Sequence, residues 1–251
     1  MHIREALSRR YDLSTFIVHL TRDYGDMTAR DNLASILRTL KLEARSRMGI
    51  AKEYVEGHPE AERSQTVVSF SEAPLDQLWL FVEDLTPPRR VQLSKYGLAL
   101  PRQKAQRLGI NPVWYVDKTP GRDWLHGRPG DDKPLNRLVE DIPPEEYHEA
   151  PIAAITPFIE PMGTWATGQR EFYWEREWRC RGDVSFLPSD LAFGLCPEND
   201  MKPFEDWVKQ LPPYLTRDYP LRFIDPTWGL EEILAVLSGI GWQDISPFPK
   251  D

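Results

Sequence analysis

Two cysteines in 251 residues leave too little from which to build a disulfide framework. Cys180 and Cys196 also cannot by themselves hold a four-ligand zinc ion. No apolar run approaches the ~20 residues of a membrane-spanning helix. The opening residues, Met1-His2-Ile3-Arg4-Glu5, run into polar sequence without the apolar core of a signal peptide. These absences predict a soluble, cytoplasmic protein with no membrane partner. Basic charge is short as well: 31 Lys and Arg stand against 39 Asp and Glu, for a net charge of -8. A sequence-blind coat on nucleic acid is thereby excluded, although net charge leaves a local basic groove open. The chain has no glycine-rich phosphate loop of the Walker or dinucleotide type and no glycine-flanked serine nucleophile. No histidine pair has helical metal spacing, and no Glu-x-Lys nuclease pattern stands out in the strands. No metal is expected.

What is present is ordinary for a globule: 41% hydrophobic and 28% charged residues, with no repeat and no glycine-serine linker. The length suits one large domain or two small ones, and the lack of a linker favours a single domain over residues 1–251. Phe16–Leu20 is short and β-branched in its middle and reads as a buried strand. A helix should follow, with Thr28 and Asp31 as its capping box and Leu33, Ile36, Leu37 and Leu40 on one face. Residues 43–65 read as loops or a frayed helix. Thr66–Phe70 and Asn111–Val116 read as strands, and Pro101 opens a short helix that Gly109 stops. Residues 117–151 are rich in proline, glycine and charge and read as an inserted loop or lid. Further strands are expected at Ile152–Thr156, Trp178–Phe186 and Leu191–Leu195. Helices are expected at Pro203–Gln210 and Leu230–Ser238, the second capped by Thr227. The fold class is α+β.

Three places could carry chemistry. His19 sits inside the first strand, where an imidazole is more often a core residue satisfied by a carbonyl. With Thr21 at the strand end it could instead bind a ribose hydroxyl or act as acid and base. Ser69 and Ser71 share one strand face because the side-chain period is two. In Glu175-Arg176-Glu177-Trp178-Arg179 two carboxylates point the same way if the backbone is extended. The plain reading is an ion-pair ladder on a solvated face. The surrounding Phe172, Tyr173, Trp174 and Trp178 suggest burial instead, where a carboxylate can stabilise a positive transition state. Tyr96 is a candidate stacking platform for a flat ring. The nine tryptophans could be core or could line such a pocket.

Taken in order, His-x-Thr, the Asn32-Leu33-x-x-Ile36-Leu37 helix, Ser-x-Ser and a late Glu-x-Glu resemble the ADP-ribosyltransferase layout. That resemblance implies a split β-sheet core with flanking helices, and NAD as substrate. It implies that His19, Thr21, Ser69, Ser71 and Tyr96 contact the cofactor, that Glu177 binds the nicotinamide-ribose hydroxyl, and that Glu175 faces a protein or nucleic-acid acceptor. The resemblance departs from the pattern in having His19 where an arginine is usual. More closely, the chain resembles the AbiGi-type abortive phage resistance family. The residues that carry this are Val68-Ser69-Phe70-Ser71-Glu72-Ala73-Pro74-Leu75, Tyr96-Gly97-Leu98-Ala99-Leu100, Gly109 to Val116 and Glu175 to Arg179. That family implies a phage-defence setting and a non-catalytic antitoxin or regulatory role beside a cognate toxin. The two resemblances agree on fold and setting and differ on catalysis; the leading expectation is a transferase-like defence protein that uses NAD to modify a macromolecule or hydrolyses it, with the non-catalytic antitoxin as the alternative.

Overall fold

The β-branched run Phe16–Leu20 forms strand β1, the span its composition predicts. Helix α1 (Ala29–Thr39) follows, with the Thr28 hydroxyl accepting from the Asp31 amide at 3.2 Å and donating to its carboxylate at 2.7 Å. Short strands β2 (Lys41–Leu42) and β3 (Ser46–Arg47) lead to helix α2 (Pro59–Ser64) and strand β4 (Thr66–Ser71). Then come α3 (Trp79–Val82), β5 (Gly97–Pro101), α4 (Arg102–Arg107), β6 (Asn111–Pro112) and β7 (Trp114–Asp117). Strands β8 (Ile159–Trp165), β9 (Gly168–Arg170), β10 (Glu177–Arg181), β11 (Val184–Ser185) and β12 (Phe193–Leu195) precede helix α5 (Glu198–Lys209). Strand β13 (Phe223–Ile224) and helix α6 (Leu230–Leu237) close the series. This computed structural model describes residues 13–83, 93–117, 139–165, 168–211 and 221–241. The architecture is mixed α and β, with multistranded sheet and flanking helices.

The chain divides into two compact units, Met1–Leu40 with Glu72–Lys104 and Phe186–Asp251, and Lys41–Ser71 with Ala105–Ser185. It passes between them four times, so no single linker marks a boundary in the sequence. In the first unit the strands run in the order β13, β12, β5, β1. β1 and β5 are antiparallel, with His19 opposite Leu98 and Leu20 opposite Gly97. The strands come so close that a Cβ on Gly97 would lie 2.3 Å from the His19 carbonyl, which only glycine permits. Ile17, Leu98, Leu100, Leu195 and Phe223 are buried in this unit, as are Leu33 and Leu37 of α1.

In the second unit β4 lies between β3 and β10, and β10 also pairs β6. β7, β8 and β9 form a separate three-stranded sheet, and β2 pairs β11. A small core joins Ala51, Val55, Ala61, Val139, Tyr147 and Ala153. Inside it the Tyr147 hydroxyl meets Thr156 Oγ1 at 2.9 Å, and Thr156 donates to Gln65 Oε1 at 3.0 Å. Burial raises the Tyr147 pKa.

Several local expectations are corrected. Ile152–Thr156 is not a strand but part of two 3₁₀ turns, Pro151–Ala154 and Thr156–Phe158. A proline near the start of each turn fixes a φ suited to that conformation. Asn111–Val116 is two strands, because the chain leaves β10 for β8 at Val113, whose amide still donates to Glu177 at 2.9 Å. Thr227 does not cap α6: its amide and hydroxyl both donate to Asp225 Oδ1, and Gly229 holds the cap position. Of the expected lid, residues 118–138 lie outside the described residues. Residues 139–151 form short turns whose Tyr147 is fully buried, so this end of the lid belongs to a core.

Candidate functional site

Alternation along β4 and β10 sorts their side chains onto two faces. Phe70 lies opposite Trp178 and Val68 opposite Cys180, all buried, on one face. On the other, Ser71 lies opposite Glu177 and Ser69 opposite Arg179, with Asn111 of β6 also level with Arg179. The two serines therefore share a sheet face with Glu177, as their spacing predicts. Ser71 Oγ donates to the Glu175 carbonyl at 2.7 Å.

Arg179 is the centre of this face. Its side chain is 1% exposed, yet it carries a full charge, and every contact reflects that. Nε donates to Glu177 Oε1 at 2.8 Å and Nη2 to Glu177 Oε2 at 2.6 Å, a two-point clamp. Nη2 also donates to Glu160 Oε2 at 2.8 Å, and Nη1 to the Pro157 carbonyl at 2.6 Å. Burial would draw the guanidinium pKa down, but Glu177 and Glu160 outweigh it and hold it above its ordinary value. The Glu177 amide donates to the Tyr115 hydroxyl at 3.0 Å. Burial pushes the Tyr115 pKa well up, and the nearby Glu177 charge adds to the rise.

Glu175 does not share that strand face. It ends a 3₁₀ turn, Tyr173–Glu175, and Arg176 behind it takes a left-handed φ of 46°, so β10 opens only at Glu177. The expected pair of parallel carboxylates needs an extended backbone, which this turn removes.

His19, Thr21 and Tyr96 belong to the first unit, and Ser69, Ser71, Glu175 and Glu177 to the second. His19 is half-buried. Thr21 is buried: its amide donates to the Tyr96 carbonyl at 2.8 Å, and its hydroxyl has the carbonyls of Ala29 at 2.9 Å and Tyr96 at 3.1 Å as acceptors for its one proton. That hydroxyl is thus spent on the local backbone. The Tyr96 hydroxyl donates to Asp200, which also receives Arg30 Nε at 3.3 Å. Burial and the Asp200 bond raise the Tyr96 pKa. Tyr96 packs against Phe204, over which Arg30 also lies at 5.3 Å.

Among the described residues no three His, Cys, Asp or Glu come together as a metal site. Both cysteines are buried free thiols, and burial pushes each pKa up. The residues sequence reasoning missed are Glu160 and Tyr115. Glu160 reaches Arg179 from a strand whose pairing no local pattern announces, whereas Arg179 itself, two residues after Glu177, is the signal that was available.

A family model described as abortive phage resistance protein AbiGi, antitoxin, matches residues 34–195, well over half of the chain. The chain belongs to the AbiGi family. The AbiGi match contains Ser69, Ser71, Tyr96, Glu175 and Glu177, and the whole Arg179 cluster with Tyr115 and Glu160. It leaves out His19 and Thr21 before it, and α5, β13 and α6 after it. No curated protein and no solved structure matches. No helix among the described residues is long and apolar enough to cross a membrane.

Proposed function

We propose that this AbiGi protein is an antitoxin-type component of a phage-defence pair and acts by binding its toxin, not by turning over NAD. The observation that carries this is the state of Glu177. Both of its carboxylate oxygens are clamped by a buried arginine that also needs Glu160. A carboxylate held this way balances a buried cation, and its orientation serves the sheet. Membership of a family described as antitoxin supports the same reading.

The second reading is an NAD-dependent ADP-ribosyltransferase-like protein. It is favoured by the shared face of Ser69, Ser71 and Glu177. In that reaction Glu177 would stabilise an oxocarbenium-like ribose as the bond to nicotinamide breaks, and the acceptor would take the ADP-ribosyl group and lose a proton. Within the second unit, cofactor contacts would come from Ser69 and Ser71.

Two assays separate the readings. The chain is co-expressed with the toxin of its pair and growth is followed. Nicotinamide release from NAD is measured for wild type and Glu177→Gln. Rescue of growth, with equal and negligible release from both proteins, is the expected result. Release by wild type that is lost in Glu177→Gln overturns it in favour of the transferase.

A further inference from the structure

Tyr115 and Glu160 lie level with each other in the parallel β7–β8 pair, so their side chains leave the same face of that sheet. Both end on β10. The Tyr115 hydroxyl accepts from the Glu177 amide at 3.0 Å, and Glu160 Oε2 accepts from Arg179 Nη2 at 2.8 Å. One rung of the small sheet thus reaches both members of the Glu177–Arg179 clamp. The apolar support is slight by comparison. Val116 and Ile159 make a buried cluster of their own, with half-buried Ile50 against it, apart from the six-residue core around Tyr147. Trp114 at the head of β7 is 52% exposed.

Both strands leave from fixed points. Just before β7, the Val113 amide donates to the Glu177 carbonyl at 2.9 Å. Just before β8, Thr156 is tied to Tyr147 and Gln65, and the Pro157 carbonyl takes Arg179 Nη1 at 2.6 Å. The backbone of Gly49 presses on the same turn, so closely that a Cβ there would lie 2.0 Å from the Thr156 carbonyl. Beyond these anchors the small sheet buries little apolar surface, and such a stretch is the part of a fold that opens at the lowest cost. The rung ends on the polar face of the main sheet, where Ser71 is buried and Glu177 is 12% exposed.

We propose that β7 and β8 form a hinged leaf over the polar face of β4 and β10, closed by the Tyr115–Glu160 rung and able to open while the main sheet stays folded. The turning points are Val113 and Phe158, and opening bares Ser71 and Glu177 to whichever ligand the protein takes. Native-state hydrogen exchange of the full chain at neutral pH tests this, read strand by strand in rising urea. In wild type the hydrogen-bonded amides between β7 and β8 should exchange at least about tenfold faster than those between β4 and β10, with a weaker response to urea because little surface is exposed. Glu160→Gln and Tyr115→Phe weaken ties that exist only in the closed leaf, and each should speed β7 and β8 exchange about fivefold or more. Val68→Ala truncates the opposite, apolar face of β4 and should speed exchange in β4 and β10 alone. If β7 and β8 exchange with β4 and β10 at one rate and one urea dependence, or if Val68→Ala speeds all four alike, there is no leaf and the proposal falls. If the two rung variants leave β7 and β8 exchange unchanged, something other than the rung closes the leaf, and the proposal falls as well. Neither outcome touches rescue from the toxin, so the antitoxin reading is judged separately.

Discussion

The two units each hold a carboxylate–arginine cluster, one centred on a strand and the other on the first turns of two helices, and they differ in burial. Around Arg179 the guanidinium is 1% exposed and its partners Glu177 and Glu160 are 12% and 14% exposed. Around Asp200 the partner Arg30 is 48% exposed. Similar chemistry therefore has unequal consequences. A buried charge is costly to strand, so the Arg179 cluster should fix the fold of its sheet, whereas water screens the Asp200 cluster. The lesson bears on function: a glutamate in the buried cluster is recruited by its arginine first.

The contrast is broken most directly by Arg179→Met. It leaves two carboxylates without their cation and should cost about 3–5 kcal/mol, or a drop in melting temperature of about 10 °C. An unchanged melting curve would mean that the cluster is solvated. Glu177→Gln is milder, because Arg179 keeps Glu160 and Pro157. A loss of about 1–3 kcal/mol by denaturant titration is expected. A variant as stable as wild type would return Glu177 to the pool of catalytic candidates.

Alkaline pH probes the buried cluster through Tyr115, and Tyr96 beside Asp200 is shifted in the same direction. Tyr115 is kept neutral by burial, with its pKa raised above the ordinary tyrosine value of 10.0. Its contribution is complete below pH 10. Above that the unfolded chain gives up the proton while the folded chain retains it, so stability falls as pH rises. Tyr115→Phe should flatten this fall between pH 10 and 11, measured by thermal melts across the range. The smallest effect belongs to Arg30→Ala, which should cost less than about 1 kcal/mol for its exposed pair with Asp200. A larger loss would place the Arg30 stacking on Phe204 among the main supports of that unit.

Local pattern made much of the fold legible. Strand β1 and helix α1 with its Thr28 cap follow from the β-branched run and the capping box alone. The period of two put Ser69 and Ser71 on one face, and the register with Glu177 agrees. What stayed hidden depends on contacts distant in sequence. Strand β5 at Gly97–Pro101 was seen only as a motif, since its residues are buried almost throughout and show no alternation. The turn at Tyr173–Glu175 was hidden because the Glu-x-Glu spacing carries no mark of the left-handed Arg176. Glu160 was beyond reach because it meets Arg179 only through the fold.

Growth of cells that carry the toxin of the pair together with the Glu177→Gln protein tests the central claim most directly. If Glu177 serves the fold and the protein works by binding, a variant present at wild-type level protects as well as wild type at a temperature where it is folded. Folded Glu177→Gln protein that fails to protect would contradict the account and place Glu177 in the activity itself.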